Sequence, residues 1–421
     1  MKFEGGSCAA PGSARLAWCI HMTASITGAR ECLDLDKDVK RSECMTENVP
    51  SGPLAGLRVI ELAGIGPVPH AGMLLADLGA EVVRIDRPAA NARPASDHDV
   101  TRRGKQSITL DLKNPLAREA VLQMVDEFDV LLEGNRPGVT ERLGLGPEDC
   151  AARNPRLVYG RMTGWGQEGP LSQVAGHDIN YISIAGALHG SGQAGGAPQF
   201  SLNLLGDYGG GSLYLVVGVL AALQEAQRTG RGQVVDTAIV DGAAHLLGNF
   251  MWMRNAGMQS DVPQQSLLDG GAPFYRVYRT ADGGYMSVGA IEPQFYAILL
   301  TLLGLEFDPA RQHDRSAWPA LGDALEATFL SQSRAHWTAL FDGTDACVAP
   351  VLSVADALEH EHMRERGAII PTPSGGVQPG VAPRFSNHPN AQPGRVSARG
   401  SDTEHVLKAH TRIEPSELAQ G

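Results

Sequence analysis

The sequence predicts an α/β protein with a mostly parallel sheet and a second, smaller α+β domain. Short apolar strands alternate with helices over residues 57–239, a pattern typical of parallel strands joined by right-handed crossovers. The chain of 421 residues is longer than a single hydrophobic core usually supports, so two domains are expected. Beyond residue 268 a hairpin and three helices replace the alternation, which indicates the smaller domain.

The alternation opens with a β-α-β unit. Residues 57–63 predict a buried strand, 64–67 a turn, 71–78 a short apolar helix and 81–86 a second strand. An acid at the end of the second strand superficially suits a dinucleotide-binding unit. The motif G-x-G-x-x-G is not satisfied, however, because Pro69 stands in place of its third glycine. We therefore do not expect NAD to bind.

Turn and cap signals place the later elements. Pro115 favours a helix start, and the Asp-Gly-Gly sequence at 282–284 favours a hairpin turn. The further predicted strands are 107–112, 130–133, 157–162 and 234–239, with a hairpin within 274–289. The further predicted helices are 115–128, 211–228, 240–258, 294–303, 318–330 and 334–341.

These elements divide the chain into five parts. Residues 1–50 lack periodicity and predict a disordered or mis-annotated extension, with translation starting near Met45. The other predicted parts are a large domain over 51–240, a linker helix over 241–267, a small α+β domain over 268–355 and a return to the large domain over 356–421.

The charge balance argues against several classes of partner. The chain carries 47 acidic and 35 basic side chains, a formal charge of −12, so neither nucleic acid nor an anionic membrane is expected to bind. A polyanionic ligand must therefore bind at a local basic site. No run of about 18 apolar residues predicts a membrane span. The six cysteines show no C-x-x-C spacing, which argues against a zinc site or disulfide framework and favours a cytoplasmic location.

Two Brønsted groups stand next to glycines and suit proton transfer at a single carbon. His177 lies in the segment Gly-His-Asp-Ile-Asn-Tyr, and Asp207 precedes Gly209-Gly-Gly211. One group removes a proton while the other supplies one. Asp207 also suits the N-cap of the helix predicted from residue 211, whose free N–H groups would then stabilise a developing negative charge. Both roles are compatible.

Several unbroken segments resemble the family III CoA-transferase superfamily. Residues 52–64 (GPLAGLRVIELAG), 77–88 (DLGAEVVRIDRP) and 135–146 (NRPGVTERLGLG) carry the resemblance to the superfamily. Residues 161–167, 175–181, 268–274 and 289–296 are similar to its α-methylacyl-CoA racemase branch. The resemblance extends from about Gly52 to Pro383, nearly the whole chain beyond the N-terminal extension.

The resemblance implies a fold that periodicity alone does not predict. Members of the family have a Rossmann-like large domain, here the CoA-binding domain, and a smaller α+β domain. Two such subunits form an interlocked homodimer, with the active site where the large domain of one subunit meets the small domain of the other. An interlocked chain has no separate folded monomer, so an obligate homodimer is expected.

The resemblance also implies an isomerase of lipid and fatty-acid metabolism. Its reaction is the epimerisation of 2-methylacyl-CoA thioesters, 2R to 2S, through an enolate. His177 and Asp207 would act as the two bases, and Glu292 of the partner subunit would bond the distal nitrogen of His177. Glu292 also suits a helix cap ahead of Pro293. No cofactor is expected, since coenzyme A is part of the substrate, and no metal is expected.

Basic residues in an acidic chain are the candidates for holding the CoA phosphates. By resemblance, the nucleotide contacts are Arg87, Leu110, Asp111, Leu112, Lys113 and Arg142. The thioester and pantetheine contacts are Gly176, Ile179, Asn180 and Tyr181, and Asp178 has a binding or structural role. A cluster of Arg102, Arg103 and Lys105 suits either the phosphate site or a solvated loop.

The main alternative is CoA transfer between carboxylic acids, with Asp207 as a covalent nucleophile. His177 argues against it, because transfer through an acyl-aspartate does not require an acid on the opposite face. A CoA-binding protein without activity would be expected to lack one of the three site residues, and all three are present. The acyl group stays open among branched fatty acids, sterol side chains and bile-acid intermediates.

Overall fold

The structure is a computed structural model that describes residues 52–88, 96, 98–389 and 391–418. The prediction for residues 1–50, including a start near Met45, lies outside the described residues. The described chain forms a six-stranded parallel sheet with helices on both faces and a separate three-stranded antiparallel sheet. This arrangement confirms the predicted α/β class with a smaller α+β part.

The order of the strands reverses at the centre of the large sheet. Its strands are β1 (Arg58–Leu62), β2 (Glu81–Asp86), β3 (Lys105–Thr109), β4 (Val130–Glu133), β5 (Val158–Thr163) and β6 (Val234–Ala238). They run parallel in the order β3-β2-β1-β4-β5-β6. The order reverses between β1 and β4, and open α/β sheets bind ligands beyond the carboxyl ends of the strands at such a reversal.

Helices cover both faces of this sheet and create two hydrophobic cores. They are α1 (Pro67–Asp77), α2 (Pro115–Val125), α3 (Val139–Arg142), α4 (Pro147–Arg153), α5 (Asp178–Ile184), α6 (Leu213–Thr229), α7 (Ile239–Leu246) and α8 (Gly248–Asn255). Side chains alternate along β1, so Val59 packs with α1 and α6 while Ile60 packs with α2.

A π-helix over Leu204–Ser212 leads directly into α6. The N–H of Leu213 donates to the carbonyl of Tyr208, the i→i−5 pattern of a π-helix. The combined helix of 26 residues is long and apolar enough to cross a membrane by length and composition, which the sequence analysis did not expect. Leu215 and Val219 of this helix pack into the core against the sheet.

The small sheet forms the centre of the second domain. Its antiparallel strands are β7 (Tyr275–Arg279), β8 (Tyr285–Gly289) and β9 (Val348–Pro350), and its helices are α9 (Pro293–Leu303), α10 (Trp318–Leu330) and α11 (Arg334–Phe341). Aromatic side chains fill its core, including Phe274, Tyr296 and Phe329. The hairpin and the three helices predicted from the sequence are all present.

The chain then returns to the large sheet. Its elements are α12 (Val354–Glu359), α13 (Glu361–Glu365), β10 (Ile369–Pro371), β11 (Val377–Pro379), α14 (Thr403–His410) and α15 (Pro415–Leu418). Asp402 Oδ2 accepts a hydrogen bond from the N–H of Ser107 on the edge strand β3, at 2.8 Å. Val406 and Leu407 of α14 are buried in the core on the α2 face. The last residues therefore complete the large domain.

Several predicted boundaries were wrong for local reasons. The first helix begins at Pro67 rather than at residue 71, because proline suits the first helical position. Strand β3 begins at Lys105 rather than at residue 107, since a charged residue interrupts the hydrophobic pattern. The helix predicted over 240–258 is two helices that meet at Leu247. The helix predicted from residue 211 is preceded by the π-helix, whose glycines are poor helix formers.

Candidate active site

A cleft of about 790 Å³ lies at the carboxyl ends of the central strands. The turn after β1, the end of β2 and the residues that follow β4 and β5 all line it. This is the position expected from the strand reversal. His177 and Asp207 line the same cleft, so the structure brings the two predicted proton-transfer residues together.

His177 enters the cleft from the N-terminus of α5. It is the N-cap residue of that helix, and its N–H donates to Asn180 Oδ1 at 3.1 Å. The imidazole itself is not used for capping and is exposed to solvent. A histidine held by its backbone with a free ring can accept or donate a proton at a bound ligand.

Asp207 enters the cleft from the π-helix and is half-buried. Asn203 Nδ2 donates to its Oδ2 at 3.0 Å. A Cβ on Gly66, which has φ +74°, would lie 3.3 Å from the same oxygen, so the turn after β1 closes against the carboxylate. Burial raises the pKa of Asp207, and the charge of Asp178 adds to the rise, while Asn203 and His177 oppose it. The carboxyl group is therefore suited to exchange protons.

The prediction that Asp207 caps a helix is wrong. The helix begins at Leu204, its N-cap residue is Asn203, and Asp207 lies inside the helical segment. The adjacent glycines serve packing rather than a close approach of ligand. A Cβ on Gly210 would lie 2.7 Å from the backbone nitrogen of Ala243 in α7, a contact that leaves no room for a side chain.

Tyr181 supports the wall of the cleft beside His177. Its hydroxyl donates to the carbonyl of Gly176, and its ring meets Trp165 edge-on with the centroids 4.7 Å apart. A Cβ on Gly164 would overlap the Tyr181 ring, so this glycine allows the close contact. Gly176 and Tyr181 line the cleft as the sequence analysis expected, whereas Ile179 and Asn180 lie outside its lining.

Asp178 is buried, with 6% of its surface exposed, and its carboxylate faces the π-helix rather than the cleft. Its Oδ1 accepts a hydrogen bond from the backbone N–H of Asp207 at 2.7 Å. The structure therefore gives this residue a structural contact with the neighbouring site residue.

Of the two alternatives for residues 102, 103 and 105, the solvated loop is wrong. Their side chains are at most 4% exposed. Each one binds a buried carboxylate: Arg102 binds Asp86, Arg103 binds Asp77 and Lys105 binds Glu61. Because buried charges require such partners, these pairs tie the edge of the sheet to its neighbours.

Basic groups line one end of the cleft. Arg87 is exposed there and has no ion-pair partner in the part of the chain that the structure describes. Arg84 and Arg102 also line the cleft, but both are bonded to Asp86. Sequence reasoning missed Arg84 because it reads as a mid-strand residue. The only signal was a charge in a strand flanked by apolar residues.

The other predicted nucleotide contacts lie outside the lining of this cleft. Leu110 is buried in the core on the α2 face, with Leu112 packed partly against that core. Asp111 Oδ1 accepts a hydrogen bond from the N–H of Lys113 at 3.0 Å. Lys113 and Arg142 are exposed.

Glu292 lies on the small domain, at the N-cap position of α9. Its backbone occupies the predicted cap position, whereas its carboxylate is exposed and makes no capping hydrogen bond. Within a single described chain, the lining of the cleft includes no residue of 268–355. No group of three or more His, Cys, Asp or Glu side chains suited to a metal ion occurs among the described residues.

The start of α1 lacks the donors that a dinucleotide pyrophosphate requires. Its N-cap residue is Gly66, and Pro67 and Pro69 in the first turn have no N–H. The N–H of His70 is already bonded to the carbonyl of Gly66 at 3.3 Å. The strand order is that of a dinucleotide-binding sheet, but the helix end is not a phosphate cradle.

Comparison with known proteins gives a consistent match. Residues 54–403 match the model of CoA-transferase family III. The alpha-methylacyl-CoA racemase of Homo sapiens is 44% identical over 361 residues, covering 84% of this chain and 92% of the human protein. The racemase of Mus musculus is 45% identical over 360 residues, covering 85% of this chain and 93% of the mouse protein. The crystal structure of a CAIB/BAIF family protein from Brucella suis aligns with a TM-score of 0.71 at 28% identity. The alignment covers 85% of this chain and 99% of the Brucella chain.

Proposed function

The chain belongs to CoA-transferase family III, and from this premise we propose that it interconverts the 2R and 2S epimers of 2-methylacyl-CoA thioesters. The observation that carries the proposal is that His177 and Asp207 reach one cleft from separate elements. Identity of 44% and 45% to the two racemases over most of the chain supports the same reaction. The chain is thus an isomerase of the α-methylacyl-CoA racemase type.

The chemistry follows from the acidity of a thioester. Loss of the proton from C2 places negative charge on the carbonyl oxygen, which gives a planar enolate. Inversion requires that one group takes the proton from one face and another returns a proton to the opposite face. His177 and Asp207 fill these two roles, which exchange according to the epimer bound. Between turnovers the proton taken from C2 passes to solvent and the group that donated a proton regains one from solvent, so the exchange balances without a cofactor.

The CoA portion would lie along the basic end of the same cleft. Arg87 is the exposed guanidinium there, and a guanidinium binds phosphate oxygens through paired hydrogen bonds. Gly176 and Tyr181 would border the thioester next to His177. Lys113 and Arg142 would contact only a part of the nucleotide that extends beyond the cleft.

The site gains a third group if two chains associate. We propose a homodimer in which Glu292 of the partner subunit approaches His177. Glu292 is exposed and free of a capping bond, which leaves its carboxylate available to a second chain. A carboxylate on the distal ring nitrogen would fix the tautomer of the imidazole.

Proton NMR in D₂O tests the reaction directly. The purified protein is incubated with a (2R)-2-methylacyl-CoA and no free carboxylic acid. We expect the C2 proton signal to disappear, the methyl doublet to collapse and the 2S epimer to accumulate. A thioester that stays unexchanged until a second free acid is added, and then transfers its CoA, would contradict the proposal. That result would instead make Asp207 a nucleophile.

A further inference from the structure

Asp178 connects the two proton-transfer residues through the backbone. It directly follows His177 in the chain, and its Oδ1 accepts a hydrogen bond from the N–H of Asp207 at 2.7 Å. One side chain therefore links the residue after His177 to the main chain of Asp207. The distance between the two catalytic backbones depends on this contact.

The contact keeps a charged group in a position where charge is unfavourable. Asp178 is 6% exposed, and its Oδ2 is buried without a hydrogen-bond partner among the described residues. A buried carboxylate with one unpaired oxygen destabilises a fold. An asparagine could accept the same bond from Asp207 and would bury an unpaired amide group instead of an unpaired charged oxygen, which costs less, so packing alone does not account for the charge.

Glycine at 206 makes room for this arrangement. A Cβ at Gly206 would overlap Asp178 Oδ1 and would lie 3.1 Å from Ile182 Cγ2. The residue before Asp207 therefore has to lack a side chain if the carboxylate is to reach the N–H. The hydrogen bond between Asp178 and the N–H of Asp207 therefore depends on glycine at position 206.

We propose that Asp178 is a positioning residue for the epimerisation. It fixes the backbone of Asp207 relative to His177, and it places a negative charge beside the Asp207 carboxyl group. The inference rests on the proposed function. A nearby negative charge favours the protonated form of a carboxyl group, which Asp207 needs when it acts as the acid. The rise in the pKa of Asp207 has this charge among its causes, after burial.

Other ionisable groups face the π-helix from each neighbouring element. On α5, His177 opposes the rise in the pKa of Asp207, and Tyr181 has its own pKa raised by burial and by Asp207. On α1, His70 stacks on Tyr208, and burial lowers the pKa of His70 to about 4, so it is neutral. On α7, Asp241 is exposed and His245 is bonded to Tyr214.

Two substitutions at Asp178 separate its contact from its charge. Asp178→Asn keeps an acceptor for the Asp207 N–H and removes the charge. We expect it to retain most of kcat and to move the limb of the pH–rate profile that reports Asp207 to lower pH, with either epimer as substrate. Asp178→Ala removes both contact and charge, and we expect kcat to fall about 10²-fold with KM nearly unchanged.

Gly206→Ala breaks the same contact without changing Asp178. We expect Gly206→Ala to lower kcat as Asp178→Ala does. It therefore tests the contact even if Asp178→Ala does not fold. Gly248→Ala is the matched control, because a Cβ there meets nothing within 4 Å. An unshifted profile for Asp178→Asn would overturn the proposed role, as would full activity of Gly206→Ala. Failure of the unmodified protein to exchange the C2 proton would instead overturn the proposed function.

Discussion

His177 and Asp207 share a cleft but have different surroundings. The imidazole is exposed at a helix N-terminus, whereas the carboxylate is half-buried and its pKa is raised by burial. The burial of Asp207 strengthens the hold of its carboxyl group on a proton. Such a pair can exchange the roles of acid and base, as the two directions of an epimerisation require.

Single substitutions at the two residues should separate proton exchange from inversion. We expect His177→Ala and Asp207→Asn each to lower the rate of inversion by about 10²- to 10⁴-fold. Each variant should still exchange the C2 proton of one epimer in D₂O, because the remaining base serves one face. The two variants should differ in which epimer they exchange. Proton NMR with each pure epimer measures this.

Exposed His405 provides a matched control for that experiment, since it lies on α14. His405→Ala should invert both epimers at the normal rate. Exchange of both epimers by His177→Ala would contradict the assignment of one base to each face.

The sequence pointed to His177 and Asp207 because histidine and aspartate beside glycines suit acid–base chemistry, and the structure places both in one cleft. The sequence left two alternatives open for residues 102, 103 and 105, because a run of positive charge does not reveal buried partners that are distant in the chain. Asp77 and Glu61 lie on α1 and β1, and only the fold brings them to these cations. The contact between Asp178 and Asp207 is equally invisible before α5 and the π-helix are packed together.

At the scale of elements, the π-helix and α7 meet backbone to backbone. A Cβ on Gly242 would overlap the carbonyl oxygen of Gly210, so a side chain would force the two helices apart. Because Asp207 lies on the same π-helix, this separation would also displace the carboxylate. The position of the catalytic group thus depends on a contact between two glycines.

Gly242→Ala should therefore weaken both stability and activity. We expect it to lower the free energy of unfolding by about 1–3 kcal/mol, the usual penalty of overpacking. It should also reduce kcat. Urea unfolding and initial rates measure the two effects, with Gly248→Ala as the unaffected comparison. Wild-type stability of Gly242→Ala would show that the helices adapt without strain.

Element prediction succeeded where periodicity and turn chemistry agree. Strands β2 and β4 and helices α10 and α11 have the predicted bounds. Proline lies in the first turn of α10, and the side chain of Ser333 caps α11. The π-helix could not be predicted, since its side-chain pattern differs little from that of an α-helix. Three glycines lie near its end, and the sequence predicted that a helix begins only at the last of them, Gly211.

At the scale of the whole molecule, His410 links the C-terminal segment that returns to the large sheet with two carboxylates of the large domain. It ends α14 and lies 3.7 Å from Glu81 and 3.3 Å from Glu127, measured between nitrogen and oxygen. These carboxylates raise its pKa, with Glu81 as the largest cause. A raised pKa in the folded state means that protonation stabilises the fold below the ordinary histidine pKa. This stabilisation is lost as the pH rises through the raised value.

His410→Gln should therefore lower the Tm more at about pH 6 than at about pH 9, because the stabilising protonation of the imidazole is lost as the pH rises. Thermal unfolding at both pH values measures the difference. His405→Gln, an exposed position on the same helix, should change the Tm little at either pH. An equal effect of His410→Gln at both pH values would assign its role to packing rather than to charge.

The proposed dimer can be tested by complementation between two inactive chains. Co-expression of His177→Ala with Glu292→Gln should restore about a quarter of the wild-type activity, because half of the random dimers are mixed and each contains one intact shared site. Mixing the purified variants should restore nothing if the chains are interlocked. Absence of recovery on co-expression, with mixed dimers present, would place Glu292 outside the partner's site.

The fold class followed from the alternation of strands and helices, and the interlocking was expected from the family alone. No periodicity reveals that a small domain is inserted in a larger one. That insertion has a consequence for protein synthesis. The edge strand β3 and the core beside α2 stay unfinished until Asp402, Val406 and Leu407 have been made. The ribosome therefore synthesises nearly the entire polypeptide before the large domain, which is the first to begin, can complete its sheet edge and core.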